Sequence, residues 1–219
     1  MASLSEAEQR DFQSAGTKVQ YEHEAALLLE GGRERDLFIL VDGYVKVTAA
    51  GQAGADILLA IRGPGDLVGE FSLLDEHPRT ASVFAVGAVV AVRIGQSRFH
   101  GFVERHPEVY RKITNSVLAK MRSSTHYRVS SRTLDAKARL AQVLFDLAER
   151  YGEWKPDGLM IIMPLTQFEL GALAAVGEST AERILKDFRD AGLVRTRYRQ
   201  VLVKDLAALG AISRPEHET

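Results

Sequence analysis

Apolar residues recur along this chain with two different periods, and the change of period divides it. From about Lys18 to Ile94, short β-rich runs alternate with glycine turns: LFILVDGYVKVTA, then DILLAIRGPGD, then ASVFAVGAVVAVRI. Gly31-Gly32, Asp42-Gly43 and Gly63-Pro64-Gly65-Asp66 are turn signals at hairpin spacing. Several strands at this spacing predict an all-β barrel or sandwich. Ahead of them, residues 3–13 predict a short helix with Ser3 or Ser5 as N-cap and Glu8 in its first turn.

Beyond Ile94 the period becomes helical. Gln96 to Glu104 reads as a short helix with Ser97 as its cap, and His106-Pro107 opens a long helix running to about Leu134. Ile113, Val117, Met121, Ser124, Arg128, Ser131 and Leu134 fall three and four apart, a heptad-like stripe that suits pairing with a second copy. The stripe is weakly apolar and turns polar towards its end, so the serines imply close backbone approach or a polar ligand on the seam. Ser131 to Asp135 is the expected hinge. Ala136 to Tyr151 is amphipathic through Leu140, Val143, Leu144 and Leu147; Glu153 to Gly158 is expected to be a loop and Leu159 to Pro164 a strand. Thr166 to Val176 and Glu178 to Ala191 read as two short helices joined at Gly177. Leu193 to Arg195 and Gln200 to Val203 read as a hairpin with Thr196 to Arg199 at its tip, and Leu206 to Ile212 as a last turn or two of helix. The fold class is therefore α+β. The expected domains are a β-roll over residues 1–105, a dimerisation helix and hinge over 106–135, and a winged helical domain over 136–219.

Net charge is −1, but it is unevenly spread: residues 1–104 carry 9 Lys/Arg against 15 Asp/Glu, and residues 105–219 carry 19 against 14. A split of sign suggests that the second part faces a polyanion. There are no cysteines, which excludes disulfides, cysteine-held zinc, iron–sulfur sensing and a thiol switch, and suits a cytoplasmic location. The longest apolar stretch, Ala81 to Ile94, is short and interrupted by glycine, so no membrane helix is expected. The six histidines have no metal-ligand spacing, and no nucleophile elbow or phosphate loop occurs, so neither a metal nor catalysis is expected.

The most informative run is Gly65 to Ala81, GDLVGEFSLLDEHPRTA. It holds a glycine that lets backbone N–H groups approach a ligand, a glutamate beside it, a loop, and Pro-Arg-Thr-Ala. A cyclic nucleotide asks for an arginine fork and hydroxyl donors on its phosphate and a carboxylate acceptor for its ribose hydroxyl. Glu70, Arg79 and Thr80 supply these groups. The run resembles the phosphate-binding cassette of the catabolite activator (cyclic AMP receptor protein)/FNR family, and the resemblance extends over nearly the whole chain. It implies an N-terminal cyclic-nucleotide-binding β-roll of jelly-roll type, a long dimerisation helix and a C-terminal winged helix-turn-helix. On that pattern Glu70 holds the ribose, Arg79 and Thr80 hold the phosphate with backbone groups around Gly69, Phe71 and Ser72, and Ser124 and Thr125 meet the base. Cyclic AMP is the effector the resemblance implies. Hydroxyls at 124 and 125 do not exclude guanine, so cyclic GMP, a cyclic dinucleotide or no ligand remain as alternatives. The rival arrangement is a plain ion pair between Glu70 and Arg79 in a roll that binds nothing. One departure from the family is His23-Glu24-Ala25, where a turn glycine is usual.

In Thr166 to Phe188, Leu170, Leu173, Ala174 and Val176 form one apolar face and Ile184, Leu185 and Phe188 the next. Helices this short must pack on each other, which is helix-turn-helix logic: Ala174-Ala175 for close crossing, Gly177 for the turn. Thr166 with Glu169 spells a capping box. The second helix would enter the major groove of double-stranded DNA with Glu178, Ser179, Thr180, Arg183 and Lys186 exposed. Arg183 to Lys204 holds seven Lys/Arg against two Asp, and Arg197 and Arg199 at the hairpin tip would contact phosphates, as would Thr166 and Gln167. Arg183 keeps the family's base-reading arginine. Glu178 and Ser179, by contrast, stand where the cyclic AMP receptor has arginine and glutamate, and Gln167 replaces a phosphate-contacting arginine. The half-site of the palindromic operator is therefore expected to differ from the receptor's TGTGA. Contact with RNA polymerase is open to the Gly152–Gly158 loop. The expected mechanism joins ligand, dimer helices and hinge so that two recognition helices lie about 34 Å apart.

Overall fold

The computed structural model describes residues 6–51 and 56–214, the side chains from Arg10 onward. The chain forms two compact units, Met1–Ser124 and Thr125–Thr219.

In the first unit, helix α1 (Glu6–Ser14) precedes strands β1 (Thr17–Tyr21), β2 (Ala26–Leu28), β3 (Leu37–Ala50), β4 (Asp56–Arg62) and β5 (Leu67–Val68). Helix α2 (Glu70–Asp75), strand β6 (Ser82–Ile94), helix α3 (Gln96–Arg105) and helix α4 (Pro107–Thr133) follow, α4 continuing into the second unit. All pairings are antiparallel in the order β1-β6-β3-β4, with β2 added on β6 and β5 on β3. The long pair β3–β6, from Leu37↔Ile94 to Thr48↔Ser82, is the spine of the roll. Both its faces are buried, because alternate side chains point to opposite faces of a strand. Leu37, Ile39, Val92 and Ile94 pack with Phe12, Phe99, Phe102, Val109 and Ile113, while Phe38, Leu40, Val45, Val89 and Ala91 pack with Leu27, Leu28 and Val68.

Several expectations change here. Asp42-Gly43 is not a hairpin turn: it lies inside β3, where the register shifts on both sides of Asp42. Gly43 takes a φ of 78° there, and a Cβ would sit 2.3 Å from the Ala88 carbonyl oxygen, which is a bulge's requirement and not a turn's. Glu24 adopts a φ of 66°, so the turn is kept without the glycine. Helix α3 has Gly95 as its N-cap and no side-chain cap, so Ser97 does not serve. Ser3 and Ser5 lie outside the described residues. Ile113 belongs to the core beneath α3 and leaves the heptad stripe. The apolar side chains that α4 exposes are instead Tyr110, Leu118, Met121, Tyr127 and Val129.

In the second unit, α4 ends at Thr133 and α5 (Ala136–Tyr151) begins after Asp135, whose carboxylate accepts from the Ala138 N–H at 2.7 Å; the break is thus Leu134-Asp135. Strands β7 (Gly152–Lys155) and β8 (Gly158–Ile161) form a hairpin where a loop was expected. Helices α6 (Gln167–Leu173) and α7 (Glu178–Asp190) are followed by β9 (Val194–Arg197), β10 (Gln200–Val203) and α8 (Leu206–Ser213), and the sheet runs β7-β8-β10-β9. Leu140, Leu144, Leu185 and Phe188 are fully buried; each contributes roughly 1.5–3 kcal/mol by leaving water. The sharp bend between α6 and α7 comes from Ala175 in the left-handed region at φ 51°, not from Gly177, whose backbone is extended. The close crossing is at Gly171, where a Cβ would lie 2.9 Å from the Val176 carbonyl oxygen and 3.0 Å from Ala181 Cβ.

Candidate functional site

The cassette folds around Gly69. This residue has a φ of 88°, and a Cβ on it would meet the Asp36 carbonyl oxygen at 2.7 Å and Arg79 Nη1 at 2.9 Å, so only glycine fits. Directly after it, α2 places Glu70 and Ser72 in the interior. Arg79 returns antiparallel to the Gly31-Gly32 turn, its N–H donating to the Gly32 carbonyl at 2.8 Å and its carbonyl accepting from the Gly31 N–H at 2.8 Å. Its guanidinium, in a residue only 5% exposed, donates through Nη1 to the Gly69 carbonyl at 2.5 Å and to the Ser72 hydroxyl, and through Nη2 to the Asp36 carbonyl at 2.5 Å. All three acceptors are neutral. Nε is buried with no hydrogen-bond partner among the described residues. Burial draws the guanidinium below its ordinary pKa, opposed by the carboxylates of Asp36, Glu34 and Glu70.

Glu70 is not paired with Arg79. Its Oε1 accepts from Lys120 Nζ on α4 at 2.6 Å, and the same ammonium donates to the Leu67 carbonyl at 2.6 Å. Burial pushes the Lys120 ammonium below the usual lysine value, with Glu70 opposing and Arg62 adding to the shift. Gly69, Glu70, Phe71, Ser72, Arg79, Thr80 and Ser124 line one cavity of about 300 Å³, together with Arg62, Lys120 and apolar side chains such as Leu59 and Val83. Thr125 is exposed on α4 and does not line it. The lining holds three cationic side chains, Arg62, Arg79 and Lys120, against the one carboxylate of Glu70. The sequence reading missed Lys120, although a signal existed: it stands four residues before Ser124, on the same helix face.

The second unit carries its charge outside. Thr166 caps α6 in a full capping box, its hydroxyl accepting from the Glu169 N–H at 3.1 Å while Glu169 accepts from the Thr166 N–H at 2.8 Å. Gln167, Glu178, Ser179, Arg183, Lys186, Arg197 and Arg199 are exposed, and Thr180 is half-buried. Arg183 has Asp187 one turn on at 3.8 Å. The hairpin β9–β10 is tied to α7 by Arg189 Nη1 donating to the Thr196 hydroxyl at 3.0 Å. Arg139, also missed, pins the bend between α6 and α7 by donating to the carbonyls of Ala174 at 2.9 Å and Ala175 at 3.2 Å. Among the described residues no cluster of His, Asp or Glu could hold a metal, and no helix is long and apolar enough to cross a membrane.

A β-roll with a cationic pocket, a long helix and a winged helix-turn-helix together define a class of DNA-binding transcription regulator. The comparisons agree. Residues 18–106 match the cyclic nucleotide-binding domain and residues 138–212 the Crp-like helix-turn-helix domain. A CRP-like cAMP-activated global transcriptional regulator of Mycobacterium tuberculosis is 29% identical over 185 residues, covering 84% of this chain and 83% of that protein. The structure of FixK2 from Bradyrhizobium japonicum superposes with a TM-score of 0.79 at 18% identity, covering 90% of this chain and 96% of that one. The c-di-GMP responsive regulator CLP of Xanthomonas campestris superposes with a TM-score of 0.74 at 19% identity, covering 90% and 98%. The chain belongs to the CRP/FNR family of transcription regulators, a class that binds DNA and is not catalytic.

Proposed function

We propose that this regulator acts as a dimer on palindromic double-stranded DNA and is switched by an anionic cyclic phosphodiester held in the β-roll around Arg79, with Glu70 facing the sugar. The observation that carries this reading is Arg79: a buried cation with only neutral acceptors and an unpartnered Nε. An unpaired buried donor costs about 1–3 kcal/mol, and an incoming phosphate oxygen would relieve that cost. The excess of cations over carboxylates in the lining favours an anion. Gly69, Phe71, Ser72 and Thr80 would frame the phosphate, and Ser124, with Thr125 from the second copy, the base.

Glu70 would meet the ribose with Lys120 still attached: its Oε1 accepts from the ammonium at 2.6 Å, and its second oxygen is left to accept a ribose hydroxyl. Cyclic AMP, the named activator of the M. tuberculosis relative, competes on this pocket with cyclic GMP and with a cyclic dinucleotide of the kind named for CLP. The apolar side chains exposed along α4, from Tyr110 to Val129, support a seam with a second copy. Glu178, Ser179, Thr180, Arg183 and Lys186 would read the major groove, while Thr166, Gln167, Arg197 and Arg199 would meet phosphates. Titration calorimetry with cyclic AMP, cyclic GMP and cyclic di-GMP tests the effector, with Arg79→Ala as control. Heat from a nucleotide that Arg79→Ala abolishes supports the pocket; no heat from any of the three would leave a DNA-binding scaffold without an effector.

A further inference from the structure

The pocket arginine is positioned by a residue that lies outside the pocket. Of the three acceptors on the Arg79 guanidinium, Gly69 and Ser72 belong to the cassette itself, but the third is the carbonyl of Asp36. Residues 32–36 have no regular secondary structure, and the Asp36 carbonyl is tied to the sheet only through its peptide with Leu37, the first residue of β3. Its own side chain supplies a further anchor. The Asp36 carboxylate accepts from Arg93 Nε at 2.9 Å and from Arg93 Nη2, and Arg93 stands on β6, the spine of the roll. Neighbouring Arg35 adds a second fastening, donating to the Ser72 carbonyl at 3.0 Å and the Glu76 carbonyl at 2.6 Å, at the far end of α2.

Neither Asp36 nor Arg93 lines the effector cavity; both line a separate cleft together with Thr17 and Arg98. The pair joins an Arg93 side chain that is 53% exposed to an Asp36 side chain that is only 17% exposed, so it ties a largely buried carboxylate to the solvated face of β6. With both Nη groups of Arg79 committed, Nε is left as the donor that no described residue takes. We propose that Asp36, clamped by Arg93 from the outer face of the roll, is the positioning residue of the effector pocket, setting through its carbonyl the orientation in which Arg79 meets a phosphate. This deepens the reading of Arg79 given above and rests on it for binding, though not for the state of the free protein.

The sign of one substitution separates positioning from simple electrostatics. Asp36→Ala removes a negative charge near an anion site and frees Arg93, so electrostatics alone predicts tighter binding of an anion. Positioning predicts weaker binding, by about tenfold, the scale usual for groups that orient a ligand-binding side chain. The experiment uses the full-length protein selectively labelled with 15N-arginine, Arg79 being assigned by its loss in Arg79→Lys. In the ligand-free protein, Arg79 should give dispersed, slowly exchanging Nε–H and Nη–H signals that average in Asp36→Ala and in Asp36→Ala/Arg93→Gln and return in Asp36→Glu. Calorimetry with cyclic AMP should show the tenfold loss in the double variant, where the net charge change cancels. Arg79 signals unchanged in Asp36→Ala would overturn the proposal whether or not the nucleotide binds. Unchanged or tighter nucleotide binding in the double variant would overturn it too. A wild type that binds no cyclic AMP while its Arg79 signals behave as expected would leave the positioning intact and count against the effector alone.

Discussion

The β-roll and the helix-turn-helix unit keep their charge in opposite places. The roll buries Arg79, Lys120 and Glu70 beside a cavity, and leaves the Arg79 Nε and Thr48 Oγ1 without partners among the described residues. The second unit packs its interior with Leu140, Leu144, Leu185 and Phe188 and sets Arg183, Lys186, Arg197 and Arg199 in water. A small ligand must be surrounded to be recognised, so its site is concave and its charges are desolvated before it arrives. A duplex is recognised by insertion into its grooves, so the charges that meet it stay solvated until contact. Perturbing a charge should therefore damage stability in the first unit and binding alone in the second.

The largest expected effect is Lys120→Met. It strands Glu70 as a buried carboxylate and should lower the unfolding free energy of the roll by about 3–5 kcal/mol in urea titrations at neutral pH. The double variant Lys120→Met/Glu70→Gln should recover most of that loss. A single variant as stable as the wild type would mean that water reaches the pair and that the contrast between the units is overstated. Next comes Arg183→Ala, which should leave the unfolding midpoint unchanged, weaken binding to the selected operator by about 1–3 kcal/mol and relax one base position. Equal binding to every half-site variant, with no loss against wild type, would remove that role. Arg197→Ala should weaken all duplexes alike and lower the slope of log affinity against log salt by about 1.

The smallest effect tests Asp146, a half-buried carboxyl of the second unit. Asp146 accepts from the Tyr127 hydroxyl at 2.8 Å, and burial raises its pKa above 3.8 in spite of that bond. With the folded value above the unfolded one, the folded state holds the extra proton between the two. Stability from this group is therefore full below about pH 3.8 and is lost as pH rises through the folded value. Asp146→Asn should accordingly raise the thermal midpoint slightly at neutral pH, with the difference shrinking in acid; a constant difference across pH would show that the substitution acts by some other route.

Much of this contrast was legible before any coordinates. The switch from strand to helix period near Ile94 located the roll, and the boundaries Pro107 and Ala136–Tyr151 followed from proline placement and amphipathic spacing. The capping box at Thr166 was spelled out by two residues three apart, a local hydrogen-bond pattern that short sequence carries well. Two inferences that treat a glycine as a turn failed, whereas Gly31-Gly32 and Gly63-Pro64-Gly65-Asp66 do turn the chain. Gly43 sits in a bulge, Gly177 is extended, and Ala175 takes the left-handed bend, because the packing of α6 against α7 and the Arg139 bonds fix that backbone whatever its side chain. Lys120 and Asp36 were missed for a different reason. Each acts on a partner fifty or more than forty residues away, Glu70 and Arg79, and only the folded chain reveals which distant neighbour a charged side chain has.

The ribbon formed by β3 and β6 has a consequence for how the roll comes apart. Because Leu37 and Ile39 face one hydrophobic cluster and Phe38 and Leu40 the other, the same four residues are a wall common to two rooms. Peeling the ribbon from either side would wet both at once, so neither cluster can melt ahead of its twin. Amide protons along residues 37–40 and 91–94 should then exchange with deuterium only through whole-roll opening, at one shared free energy, in the manner of a single cooperative unit.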